Sequence, residues 1–554
     1  MVKIPSIPQV YRHVNRWREI LTVLSKYGLA DWIYRLDFDF AKGLLRNRDG
    51  EVLARHTREK RIRLAIEELG PTFIKLGQIL STRPDLVGVD LADELKNLQA
   101  NVPADPPDVV RQTVAIELGR PVEDLFLEFD DVALASASIG QVHRARLRSG
   151  ERVVVKVQHQ GIHQVVRVDL DLMAGLAQLA ERLPELACYR PVAVFAEFRR
   201  TLRRELDFRR EQRNLQQFRH EYCDNPTVHI PRPYPGLSTD RVLTMELLEG
   251  LKLLDAPLLE RAGLDLEEFA RRGADLYLEM IFIQGQYHAD PHPGNIVLLE
   301  DNVIGLLDFG MVGRLDESLR DDVSEMLMAI VDHDADYLTR IIMRIGAVPA
   351  ELDESGLRVD VADFVDHYGN QPIDAFDLSG ALREMVEIIR RYHIVLPGAV
   401  AMLIKVLIML EGTARLLSPH FSLIEVMQPY RRKMQIRRLS PTRRLRRLRR
   451  TMHEAEQLFE ELPRRMMDIL QQVESGQFDV HLDHRGLEPS VNRLVLGMLT
   501  SALFLGSSIL MSRDVGPSLG GISIIGGLGY LMSIALGLRV FRAINKSGHL
   551  DRRK

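Results

Sequence analysis

Apolar residues along the chain change their period several times, and each change marks an expected element. Over residues 10–110 they recur mostly at helical spacing, and the Pro-rich "VPADPPDV" at 102–109 closes that stretch. From 133 to 157 the period falls to two. "ALASASIGQVHRARLRSGERVVVKV" reads as a small-residue turn, a strand, an "RSGE" turn and a β-branched strand. A long charged helical stretch follows, then "HIPRPYPGLSTDRVLTMELLEG" at 229–250, two strands with a connector. Helical period resumes over 251–430. It is interrupted by "YHADPHPGNIVLLEDNVIGLLDFG" at 287–310, in the order loop, strand, "EDN" turn, strand, loop.

Further on the alternation stops. Leu494 to Ser512 carries no charge, nor does Val515 to Leu538, and Arg513 and Asp514 separate the two runs. Each run is long enough to cross a hydrocarbon core ~30 Å thick as a helix. Together they predict a transmembrane hairpin, with two buried helices of a soluble core as the alternative. Small residues at four-residue spacing (Gly497 with Ser501, Ala502 with Gly506, Gly529 with Ser533 and Gly537) would let the helices approach closely. Arg539, Arg542, Lys546, Arg552, Arg553 and Lys554 follow, and the positive-inside rule puts that tail, and with it the preceding domain, in the cytoplasm. The expected organisation is a helical extension at 1–110, a β-rich lobe with inserted helices at 111–250 and a helical lobe at 251–430. A basic linker at 431–490, two transmembrane helices at 491–541 and a basic tail at 542–554 complete it.

Composition sharpens this only locally. A chain of 554 residues, 46% hydrophobic and 27% charged, calls for two or three packed units rather than disorder. The net charge of -4 favours no partner class. Two cysteines, Cys188 and Cys223, are too few for a disulfide framework or a zinc site and suit a reducing compartment. The first twenty residues lack the apolar core of a signal peptide. Residues 431–450 hold eleven Lys or Arg and no acid. Beside a membrane anchor, such a run suits anionic lipid headgroups; a solvated linker is the alternative. Nucleic acid is disfavoured, because the run has neither aromatic interleaving nor a groove-reading motif.

The chemistry concentrates at 287–310. Asp290 and Asn295 stand in a D-x-x-x-x-N arrangement, and Asp308-Phe309-Gly310 follows after what reads as a β-hairpin. Phosphoryl transfer needs metal ions across the phosphates and a carboxylate for the nucleophile. Asp290 suits the carboxylate, and Asn295 and Asp308 suit Mg²⁺. A rival reading makes a metal site of His288, Asp290 and His292, with no fourth ligand evident. Lys156 in "VVVKV" suits the α- and β-phosphates, provided an acid on a helix orients it. "RRELDFRREQRN" at 203–214 offers acids: read as one helix, it puts Asp207, Glu211 and Asn214 on one face, with Glu205 largely on the other. Glu211 is the preferred partner. Backbone groups around Glu246 in "LTMELLEG" would face adenine. In the turn before the first strand, Ala135, Ser136, Ala137 and Ser138 stand where a phosphate loop carries glycine, followed by Ile139 and a retained Gly140. A Cβ at those positions restricts positive φ, which predicts a modified nucleotide loop with restrained transfer.

These motifs, with "KLGQ" at 75–78, "ELDFRREQRN" at 205–214 and "HADPHPGN" at 288–295, closely resemble those of the UbiB family of atypical kinases. The resemblance covers nearly the whole chain. It implies an α+β, protein-kinase-like bilobal fold that binds ATP and Mg²⁺, with an alanine-rich loop in place of the glycine-rich one. It also implies that the segment Lys75 to Gln78, with Gly77 between, folds across the cleft and contacts Glu205 and Asp207. The function implied is ATP turnover supporting ubiquinone biosynthesis at a bacterial cytoplasmic membrane, through handling of lipophilic quinone precursors. Partners would be those precursors and quinone-biosynthesis enzymes, with room for a homodimer. His288-Ala289-Asp290 lacks the arginine of H-R-D, and no A-P-E follows Gly310, so a peptide-docking segment is missing. A true protein or small-molecule kinase, and a silent lipid-binding scaffold, remain the alternatives.

Overall fold

The computed structural model describes residues 7–29, 56–98, 102–253, 265–349, 351–372, 376–430, 487–512, 517–519 and 522–546, with positions 452 and 467. The basic run at 431–450, Arg513, Asp514 and the tail beyond 546 lie outside them. The chain divides into two compact units, Met1–Arg443 and Arg444–Lys554.

The first unit opens with helices α1 (Ile7–Lys26), α2 (Arg58–Leu69), α3 (Pro71–Leu80) and α4 (Pro107–Leu118). Strands β1 (Phe126–Phe129), β2 (Ala135–Ser136), β3 (Gly140–Leu147) and β4 (Arg152–Gln158) follow. The helices α5 (Ile162–Glu181), α6 (Pro191–Glu205) and α7 (Phe208–Glu221) precede β5 (Val228–His229) and β6 (Val242–Glu246). The antiparallel sheet runs β1-β3-β4-β6, with β2 on β3. In β4 the apolar alternation sends Val153, Val155 and Val157 into a core with Val110 and Val114 of α4. The same alternation turns Val154 and Lys156 to the other face. Lys156 sits between Val142 and Leu243 in the register.

Strand β7 (Leu251–Lys252) leads into the helical lobe. There α8 (Leu266–Leu278) passes through a π-turn, Glu279–Gln284, that Gly285 ends at φ 78°. Strands β8 (Gln286–His288), β9 (Ile296–Leu298), β10 (Ile304–Leu306) and β11 (Val312–Arg314) come next. β9 and β10 form the antiparallel hairpin expected at 296–306, and β8 pairs with β11. The helices α9 (Glu317–Val331), α10 (Ala335–Ile345), α11 (Glu354–Gly369), α12 (Leu378–Arg391) and α13 (Gly398–Leu417) complete the lobe. Aspartate starts α8 to α12: Asp265, Asp316, Asp334, Asp353 and Asp377 each accept the N–H three residues on. That satisfies orphan donors and sets a negative charge at the positive helix end. A small β-rich lobe followed by a helical one is the protein-kinase-like α+β fold.

The second unit contains α14 (Leu487–Ser512) and α15 (Ile524–Lys546). Leu494–Ser512 and Ile524–Arg542 are long and apolar enough to cross a membrane, and only 6% and 11% of those stretches are buried. The helices run antiparallel. A Cβ on Gly526 would lie 2.7 Å from Met511 Cγ, and one on Gly529 would meet Ser507 Oγ. Gly497 and Gly506 face open space instead. The close approach is therefore carried from the α15 side, not by the Gly497 column.

Candidate functional site

The β9–β10 hairpin brings the motif ends together: Leu307 N–H donates to the Asn295 carbonyl at 2.9 Å, so Asp308 follows directly beside Asn295. Asn295 Nδ2 donates to Asp290 Oδ2 at 2.7 Å and to the Asp290 carbonyl at 3.3 Å. Among the described residues its amide oxygen has no hydrogen-bond partner. Gly310 N–H donates to Asp308 Oδ1 at 2.8 Å.

One imidazole joins the two acidic segments. His288 Nε2 bonds the Asp308 carbonyl, which can only accept, so the proton sits on Nε2. Nδ1 then accepts from Tyr277 Oη at 3.2 Å and from Asp290 N–H at 3.3 Å. Burial keeps the ring below its ordinary pKa and therefore neutral. His292 Nδ1 accepts from Gly294 N–H at 3.0 Å. With both nitrogens of His288 committed, the reading of His288, Asp290 and His292 as a metal site is corrected; the described residues contain no cluster of three or more His, Cys, Asp or Glu side chains that could hold a metal.

From the sheet side, Lys156 Nζ reaches Glu211 Oε2 at 2.8 Å and Oε1 at 3.1 Å, and lies 3.8 Å from Asp308 Oδ2. Burial disfavours the ammonium, but Asp308 and Glu211 outweigh it and hold Lys156 above its usual range. Burial lifts Glu211 to about 7; Lys156 opposes the rise, and the neighbouring Asp308 carboxylate adds to it. Asp308 goes the other way. Burial works against its charge, but Lys156, the Gly310 N–H and Lys75 bring it down to about 2. Its side chain is 49% exposed, so water screens part of this attraction, and the carboxylate stays ionised. One cation between two acids explains the pattern: burial pushes Glu211 toward its neutral form, and the cleft-facing Asp308 keeps its charge.

The expected single helix at 203–214 is two helices. Asp207 caps α7, accepting from Arg209 N–H at 3.1 Å, and its other oxygen lies 3.9 Å from Arg213. It does not share a working face with Glu211, because aspartate satisfies orphan N–H groups better at a helix start than inside one. Glu205 ends α6 and turns to Lys75, whose Nζ lies 2.7 Å from Oε2. The approach is too sharply angled for a hydrogen bond, so both Glu205 oxygens are buried without one. Asn214 Nδ2 donates to the Phe309 carbonyl at 3.0 Å. Gly77 serves packing: a Cβ there would meet Leu98 Cδ1 and lie 3.2 Å from Ile66. Gln78, half-buried on the same helix, makes no side-chain bond among the described residues.

The small-residue loop is ordinary backbone. None of Ala135 to Ile139 has a positive φ. Ala137 N–H bonds the Gly140 carbonyl at 2.9 Å, and His159 Nε2 bonds the Ala137 carbonyl at 3.0 Å. Ser138 and Ile139 are buried while Ala135 and Ala137 are exposed. Gly140 is needed for space and not for dihedral freedom, since a Cβ there would strike the Val157 carbonyl. The Glu246 carboxylate faces away from the lysine, accepting from Arg232 N–H at 3.0 Å and pairing with His229 at 3.1 Å.

Lys405 escaped the sequence reading. It lies on α13 with Nζ 4.0 Å from Asp290 Oδ1, and burial pulls its pKa down. A lone lysine inside "AVAMLIKVLIML" was the available signal.

Residues 97–342 match the family model of the ABC1 atypical kinase-like domain, 361–422 that of the UbiB helical domain and 481–546 that of the ABC1/UbiB kinase-like C-terminal domain. An uncharacterised protein in the hydrogenase 1 5' region of Clostridium pasteurianum is 30% identical over 97% of this chain and 100% of its own. A probable protein kinase UbiB of Marinobacter nauticus is 34% identical over 76% of this chain and 78% of its own. The solved structure of Rv3197 from Mycobacterium tuberculosis with erythromycin is similar over 64% of this chain and 90% of its own, at 24% identity and a TM-score of 0.46.

Proposed function

The chain belongs to the ABC1/UbiB family of atypical kinase-like proteins, and from that premise we propose that it is a membrane-anchored enzyme moving the terminal phosphoryl group of Mg-ATP to water or to a small acceptor, in support of ubiquinone biosynthesis. The observation that supports this best is the constellation around Lys156: paired with Glu211, 3.8 Å from Asp308, with Asp290 and Asn295 joined beside it. Lys156 would hold the phosphates, and Glu211 would keep it in place. The Asn295 amide oxygen and the Asp308 carboxylate are the hard oxygen donors that suit Mg²⁺, which when bound would neutralise charge on the phosphates. The loop Ala135 to Gly140 would cover them, and backbone around Glu246 would meet the adenine. Asp290 would orient the acceptor hydroxyl and take its proton as the new O–P bond forms and the bond to the ADP oxygen breaks. Lys405 stands beside that carboxylate to stabilise its charge. Lys75 and Gln78 would narrow access, which favours small acceptors over protein chains. The name of the Marinobacter relative supports the link to ubiquinone.

The two apolar helices would anchor the protein in a bacterial cytoplasmic membrane, with the basic run at 431–450 on anionic headgroups and the kinase-like lobes in the cytoplasm. Substitution Asp308→Asn in the full-length protein, reconstituted in liposomes, tests the assignment. Mg-dependent ATP turnover should fall by about 100-fold or more with the fold intact. Unchanged turnover would overturn it.

A further inference from the structure

We propose that the helical lobe holds a binding site for an apolar chain, in the cavity enclosed mainly by α9, α11, α12 and α13. The cavity has a volume of about 360 Å³ and an almost wholly apolar wall that includes Leu327, Phe364, Leu382, Met385, Leu403 and Met427. Protein interiors are close-packed, with few voids larger than a water molecule. An apolar cavity of about 150 Å³ stays dry and takes up benzene. By that scale this one has room for about fifteen carbons. A charged ligand is excluded by the wall, and water would find too few partners.

The polar groups on the wall narrow the class further. Ser324 Oγ donates to the Arg320 carbonyl and Tyr368 Oη donates to Glu384, so neither is free to a ligand. Gln428 is exposed to solvent, and among the described residues Gln371 Oε1 is buried with no hydrogen-bond partner. A buried acceptor left unpaired is costly, and it would be satisfied by a ligand with a single hydroxyl. The occupant is therefore a chain of about fifteen carbons ending in one hydrogen-bond donor, such as a short prenyl alcohol or the hydroxylated end of a longer prenylated molecule. Leu403 and Leu407 on α13 border the cavity, and Lys405 on the same helix reaches Asp290. The site thus abuts the helix that serves the cleft. This goes beyond the proposed phosphoryl transfer and rests on the proposed link to ubiquinone biosynthesis for the ligand's role; the cavity itself needs no ATP turnover.

The test uses the full-length protein in nanodiscs, without nucleotide, labelled by a diazirine analogue of farnesol and mapped by mass spectrometry. Labelling at 323–330 and 378–389, competed by unlabelled farnesol but about tenfold less by myristate, is expected. Ala381→Phe, which fills the cavity from α12, should cut that labelling about tenfold and spare labelling of α14 and α15. Leu327→Trp on α9 serves the same purpose where the first variant melts early. No competable label at these segments, or equal label in a folded filled variant, overturns the site. Equal competition by myristate overturns the hydroxyl end. Because no nucleotide is present, failure here is separate from failure of the ATP-site assignment.

Discussion

Replacing Glu211 with glutamine tests the charge distribution of the cleft directly. The Glu211 side chain is 4% exposed, and burial lifts its pKa from the ordinary 4.5 to about 7. Between those values the folded chain binds a proton that the unfolded chain has lost. Stability therefore falls as pH rises from about 4.5 through about 7, the reverse of a carboxylate whose pKa is depressed. The full effect for one buried carboxyl is about 3 kcal/mol. Asp308 contributes nothing in that window, since its shift runs from 3.8 down to about 2, and Lys156 acts only above its ordinary 10.5. Glutamine keeps the shape and donor of the protonated acid and does not titrate. Relative to wild type, Glu211→Gln should thus gain about 3 kcal/mol between about pH 4.5 and about pH 7.5, a melting shift of a few degrees in a unit this large. Calorimetry of the two full-length proteins, read as a difference, cancels the other titrations. ATP turnover should fall by about 10-fold or more in the same variant above about pH 7, where wild-type Glu211 is ionised and glutamine lacks the charge that holds Lys156, and should differ less below that pH. Parallel pH profiles would refute the reasoning: Glu211 would then be an ordinary ionised partner, and the proton would sit elsewhere.

Other consequences are quicker to check. Gly140→Ala should cost about 1–3 kcal/mol of stability, because the new Cβ meets backbone at Val157 that cannot turn aside. Ala137→Gly, at an exposed tip with ordinary φ, should leave the melt within about 1 kcal/mol while changing nucleotide affinity by equilibrium binding. Lys75→Ala strands the buried Glu205 and should lose about 1–3 kcal/mol, most of it restored by adding Glu205→Gln; a double-mutant cycle with no coupling would show the pair to be idle.

What could be read from the chain depended on whether the relevant force was local. The hairpin at 296–306 was legible because apolar runs flanked a polar "EDN" turn, and strand alternation sufficed to put Lys156 opposite the Val153 face. The apolar runs at 494–512 and 515–538 were equally plain, and the long apolar helices lie at Leu494–Ser512 and Ile524–Arg542. The break at Leu206–Asp207 was not, because helical periodicity carries across a single capping residue, and only the cap hydrogen bond to Arg209 reveals that two helices meet there. That break matters chemically, since it turns Glu205 to Lys75 and leaves Glu211 to Lys156. Gly140 stands in the sequence only as a retained loop glycine, whereas its reason is the neighbouring strand's carbonyl, a contact that no local rule contains. The same holds for Lys405 and His288. Their partners, Asp290 and the Asp308 carbonyl, are set by how α13 and the paired strands β8 and β11 pack. A buried lysine in an apolar helix costs too much to stand unpaired. Such a residue in "AVAMLIKVLIML" therefore signals a carboxylate across the fold before the structure says which one, and Asp290 is the one it meets.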